Sequence, residues 1–213
     1  MTPFRLATAA STGAAAGVVG TLAMDMLWYR RARAGGSRAG FIDWEFSSDA
    51  ESFEDVGAPA QVGRKAAAAL GVDLPDSAAG ITNDVVHWMT GTSWAAGGAV
   101  LAAVAPVPPL VAGLASGLAA FAGAQTILPA IGVYDPIWED DGEALWKDAS
   151  AHAVFGVATG LALGGADSRS SHPPALNRRR LRGWGAPPSQ PDQPGDRDRS
   201  SDNSSALRLR SLE

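Results

Sequence analysis

The chain has 213 residues and a net charge of −5, room for one domain and a tail. It contains no cysteine, which excludes disulfides, thiolate metal sites and cysteine nucleophiles. Ionisable residues are almost absent from residues 6–29, 85–131 and 149–166, apart from Asp25, His87 and His152, and crowd into the rest. A soluble helix keeps one face wet. Whole stretches without a wet face are the pattern of membrane spans, so the expected class is all-α: a polytopic membrane helical bundle of about four transmembrane spans, in two helical hairpins. Residues 1–166 are the expected membrane domain and residues 167–213 a disordered tail.

The first predicted span covers residues 6–29. Its small-residue run resembles a signal peptide, but the apolar stretch continues through "TLAMDMLW" into "YRRAR". That is longer than a signal core and ends on an aromatic and basic stop, so a retained span is expected. The connection 30–84 follows, with eight Asp/Glu against three Lys/Arg in residues 35–80. Within it "PAQVGRKAAAALGV" has the Pro start and Gly stop of a short helix. Val62, Ala66, Ala69 and Leu70 share one face of that helix, suited to the membrane interface or to an ordinary protein surface.

Span two is expected over 85–105, a tight turn at "PVPP" (106–109), and span three over 110–131, because proline cannot continue the helical hydrogen-bond ladder. The next connection carries Tyr134, Trp138 and Trp146, amphipathic rings that favour the headgroup zone. Span four, 149–165, would be short at about 25 Å and could take its first turn from "GEALWKD". The tail is Ser, Pro, Asp and Arg with almost no apolar content, too little to offset its ordering entropy. Its "NRRRLR" cluster reads as a topogenic or lipid-contacting stretch, and no nucleic-acid partner is expected. Arg30, Arg31, Arg33 and Arg38 on one side balance Arg5, Arg169, Arg178, Arg179, Arg180 and Arg182 on the other, so positive charge assigns no orientation.

The motifs "NDVVHWMTG" and "KDASAHAVFG" each carry Asp, then His three or four residues on, then Gly four later. Asp84 and His87 therefore share a helix face, as do Asp148 and His152. "GVVGTLAMD" ends on Asp25 and "GLASGLAAFAGAQ" on Gln125, so the two hairpins read as loosely repeated. Alternating span directions then bring Asp25, Asp84, His87, Gln125, Asp148 and His152 into one layer, just inside the face that carries both long connections. Asp84–His87 and Asp148–His152 read as two couples, with Asp25 as a third acid. Glycines at three- or four-residue spacing (Gly13, Gly17, Gly20, Gly113, Gly117, Gly156, Gly160) suit close helix packing.

Ionisable groups within membrane helices often mark proton relays or ion paths, and histidine titrates near neutral pH. The expected function is a proton- or cation-responsive membrane protein; the alternative is a membrane scaffold or assembly partner. The same residues also suit a plain interfacial role, with Asp84 and Asp148 favoured by helix dipoles. Two imidazoles and two carboxylates would suit zinc or iron, but there is no HxxxH or HxH spacing, so neither metal nor cofactor is expected. No G-x-S-x-G, HExxH or phosphate-binding glycine loop occurs, and no enzyme is expected. The expected partners are the lipid bilayer and, as a further option, a second copy of the chain.

At "ITNDVVHWMTGTSW", "YDPIWEDDGEALWKDASAHAVFGVATG" and "WEFSSDAESFEDVGAPAQVGRK" the sequence resembles the YagU-like family of small bacterial inner-membrane proteins, particularly their actinobacterial relatives. The resemblance covers residues 13–165. It implies a multi-pass protein of the inner (plasma) membrane and brings no reaction and no catalytic residues.

Overall fold

A computed structural model describes residues 2–171, apart from Ser48, Pro106 and Asp140. Among the described residues there are six α-helices and no strand: α1 (Pro3–Ala34), α2 (Phe41–Glu45), α3 (Ala58–Ala69), α4 (Ala79–Val104), α5 (Pro109–Ala130) and α6 (Gly142–Ser171). The four long ones coincide in sequence with the four predicted stretches, and three of them are long and apolar enough to cross a membrane. Most of the expected tail lies outside the described residues; its first five residues, 167–171, continue α6.

The four long helices close a ring. Helix α1 packs on α4 and α6, and α5 packs on α6 and α4. The pairs α1/α4 and α5/α6 are the two hairpins, joined at both seams. Small residues set the spacing. A Cβ on Gly13 would stand 2.6 Å from Ala99 Cβ and 2.8 Å from Ala96 Cα of α4. One on Gly113 would strike the backbone of Gly156 and Gly160, and one on Gly117 would strike the carbonyl of His152. Close backbone approach supplies the dispersion contact that holds helices together where lipid replaces water.

The distribution of side-chain size is inverted relative to a soluble domain. The buried residues of the bundle are mainly Ala, Gly, Ser and Thr, whereas Leu118 is 69% exposed, Leu161 65% and Leu101 63%. Large apolar side chains pointing outward from a small-residue core need an apolar solvent. Helices α1, α5 and, over Gly142–Ala166, α6 are long and apolar enough to cross a membrane. Helix α5, with 22 residues, spans about 33 Å, against a hydrocarbon core of about 30 Å. Helix α4 is longer, at 26 residues, but is not among the helices apolar enough to cross by composition, since it carries Asn83, Asp84, His87, three Thr and one Ser.

Element limits depart from expectation for local reasons. Helix α4 begins six residues before the expected 85, because Ala79 is buried against Phe53 and Ala60 in a small core under the connection. Helix α6 begins at Gly142, so "GEALWKD" is its first turns. Helix α3 forms where expected. Its contact side is Ala60 and Gly63, the latter against Thr82 and Val86 of α4, and Val62 lines a cavity. Ala66, Ala69 and Leu70 are exposed. Thr82 could not approach a larger residue than Gly63, which decides the face. Helix α2 has no counterpart in the expected elements. It is pinned by aromatic stacking: the ring of Tyr29 lies 5.3 Å from Phe41 and 5.5 Å from Trp44, and its hydroxyl donates to Ala39 O at 3.1 Å. Arg31 ties the end of α1 to α6, donating to Lys147 O at 2.8 Å and Ser150 Oγ at 2.7 Å.

Candidate functional site

Near the end of the bundle where α2 and α3 cross over it lies a cavity of about 600 Å³. Four of the six residues of the expected polar layer line it: Asp25, His87, Asp148 and His152. The ends of α1 and α5 and the starts of α4 and α6 meet there, as alternating directions require.

The pairing within the layer differs from the expected couples. His87 Nε2 stands 2.8 Å from Oδ1 of Asp25, across the α1/α4 seam. Asp84, three residues before His87, does not hold it. That carboxylate is buried, its Oδ1 has no hydrogen-bond partner, and it lies outside the cavity wall. The second couple forms as expected: His152 Nδ1 lies 3.2 Å from Asp148 Oδ1 and 3.0 Å from the Asp148 carbonyl, one turn back on α6. Gln125 stands behind it, donating from Nε2 to Asp148 Oδ2 at 2.9 Å. Each imidazole also meets an aromatic edge, Trp88 for His87 at 6.4 Å and Phe121 for His152 at 5.7 Å.

Sequence reasoning missed Glu45. The last residue of α2, it lines the same cavity as Asp25. Burial and then the Asp25 carboxylate push its pKa up to about 7, against the opposing pull of His87 and of a hydrogen bond from Trp88. Asp25 holds His87 with one oxygen and has no donor on Oδ2. The available signal was the acid in "FIDWEF", an aromatic segment able to fold back on Tyr29. Also missed were Thr21 and Thr159, wholly buried, with hydroxyl oxygens that lack partners. Thr21 is one turn from Asp25 toward the bundle interior, and Thr159 two turns from His152, so polar groups continue below the cavity.

Much of the remaining wall is aromatic and apolar, with Trp28, Trp44, Trp94, Tyr134, Val62, Val86 and Phe155, beside the polar Ser47, Asp55, Asn83 and Thr90. Trp94 packs its ring where a Cβ on Gly123 would sit, at 2.8 Å, so a glycine on α5 makes room for an indole of α4. On the outer part of the cavity wall, Asp55 closes a turn by accepting from Ser52 N at 2.8 Å, Ser52 Oγ at 2.9 Å and Glu51 N at 3.2 Å; these bonds hold its carboxyl below the usual range. Among the described residues no three His, Cys, Asp or Glu side chains converge to hold a metal ion. No family model, no curated protein and no solved structure matches the chain.

Proposed function

We propose that the chain is a multi-pass inner-membrane protein with four spans, in keeping with its resemblance to the YagU-like family, and that it responds to protons or cations through the Asp/His layer. The observation that carries this reading is the placing of two carboxylate–imidazole couples, Asp25–His87 and Asp148–His152, on the wall of one cavity. Ionisable groups are expensive within a bundle whose outer surface is apolar, and paired ones in a shared cavity can pass or sense charge. Glu45 adds a carboxyl that titrates near neutral pH beside the first couple. The unpartnered hydroxyls of Thr21 and Thr159 extend the polar groups inward. No catalytic role is proposed.

The test is flux. The full chain is reconstituted in vesicles with a trapped pH-sensitive dye, and a pH or cation gradient is imposed. Protein-dependent flux that falls in His87→Ala and Asp25→Asn supports the reading. Vesicles no leakier than protein-free ones, or flux indifferent to both variants, would leave the scaffold reading in its place.

A further inference from the structure

We propose that the cavity binds an alkylammonium ion, a protonated amine or quaternary ammonium group of small organic size. This rests on the reading of the layer as cation-responsive and names the class of cation.

Three observations carry it. The wall holds four carboxyls (Asp25, Glu45, Asp55 and Asp148) and two imidazoles, and no Lys or Arg side chain. With both imidazoles charged and every carboxyl ionised, the wall is still short of positive charge. Asp25 is 4% exposed, and its Oδ2 has no donor. A buried carboxylate oxygen without a donor costs free energy that a cation in the cavity would recover. The aromatic lining, Trp28, Trp44, Trp94 and Tyr134, supplies rings whose faces attract organic cations; indole is the strongest of the side-chain partners. A volume of about 600 Å³ is that of a small-molecule site and far larger than a bare inorganic ion needs.

Glu45 gives the site a proton linkage. Its carboxyl faces Asp25 from α1 and His87 from α4, with Asp55 of the connection and Asp148 and His152 of α6 on the same wall. Either a proton or a bound cation neutralises Glu45, so the two compete. Binding of the cation should release a proton near neutral pH and weaken on acidification.

The ammonium could come from solution or from an aminophospholipid headgroup. The probe is therefore tetraethylammonium, titrated calorimetrically into the full chain in nanodiscs of phosphatidylglycerol, with uncharged 3,3-dimethylbutanol as the control. The expected result is saturable binding of the cation alone, with proton release, weakened about tenfold in Glu45→Gln and in Trp44→Leu. Repeating the titration with phosphatidylethanolamine added separates the sources: loss of apparent affinity assigns the site to the headgroup, and unchanged affinity to a soluble amine. Equal heats from the neutral control, displacement of tetraethylammonium by Mg²⁺ at equal concentration, or unchanged affinity in both folded variants would overturn the proposal. If binding fails while flux through wild-type protein persists, the proton- or cation-responsive reading stands without this ligand class.

Discussion

The α1/α4 hairpin holds its imidazole from across the seam, whereas the α5/α6 hairpin holds its own from within one helix. The cause is one functional group. Where the first hairpin has the carboxylate of Asp25, the second has the amide of Gln125. Asp25 takes His87 directly at 2.8 Å and leaves Asp84 without it. Gln125 carries no charge to pair with an imidazolium; it donates from Nε2 to Asp148, whose other oxygen is left to His152 on its own helix. Spacing contributes too: Asp148 and His152 are four residues apart and Asp84 and His87 three. The hairpins also differ in cover, since α2 brings Glu45 to Asp25, while the expected counterpart connection leaves Trp138 and Trp146 exposed.

Four substitutions break or sharpen this comparison, from the largest expected effect to the smallest. Gly113→Ala should cost about 3 kcal/mol, because the new methyl meets backbone of Gly156 and Gly160 that cannot move without parting α5 from α6. Thermal melting of the full chain in detergent reads it, and an unchanged midpoint would show that the seam is looser than described. Asp25→Asn makes the first hairpin resemble the second and should cost about 2 kcal/mol through the lost ion pair. Because Asp84 does not reach His87, the double variant Asp25→Asn, Asp84→Asn should show additive costs. Strong non-additivity would mean that Asp84 substitutes as a partner.

Glu45→Gln tests the cover over the first hairpin. The folded-state pKa of Glu45 is raised from 4.5 to about 7, so the fold prefers the protonated carboxyl. Below about pH 4.5 both folded and unfolded states are protonated and there is no penalty. As pH rises to about 7 the unfolded chain ionises first, and the ionised carboxyl then weighs against the fold. The neutral Gln should therefore raise the melting midpoint at about pH 8, by an amount equivalent to about 1 kcal/mol after screening on the open side of the cavity, and change it little at about pH 4. Equal effects at both pH values would contradict the buried, acid-flanked setting of Glu45. Gly97→Ala is the smallest: a Cβ there meets nothing within 4 Å, so the change should stay within about 0.5 kcal/mol. A larger loss would reveal a contact surface on that side of α4.

Charge segregation made the four long helices legible, and alternating direction made the polar layer legible, because both follow from chain order alone. The pairing inside the layer was half legible. Spacing along one helix finds Asp148–His152, whereas Asp25–His87 depends on how α1 and α4 are rotated against each other. Gly13, Gly17 and Gly91 set that rotation at their seam. Glu45 was hidden for a related reason: a helix of five residues has too little periodicity to show, and its position depends on the stacking of Trp44 and Phe41 on Tyr29. The apolar positions of α3 were legible as one face, but the side that meets the bundle was not, because it is made by small residues. Beside a bundle with an apolar exterior, the small Gly63 makes the contact and Leu70 is left 83% exposed.

The central claim is that the two unlike couples share one cavity and feel each other's charge. Imidazole-labelled protein in micelles, titrated by NMR from about pH 5 to about pH 8 as wild type and as His87→Ala, tests it most directly. Coupling through the cavity requires that removing His87 move the titration of His152, since one charged ring changes the field at the other. A His152 curve superimposable in the two proteins, with both imidazoles near the model value of about 6.5, would contradict it.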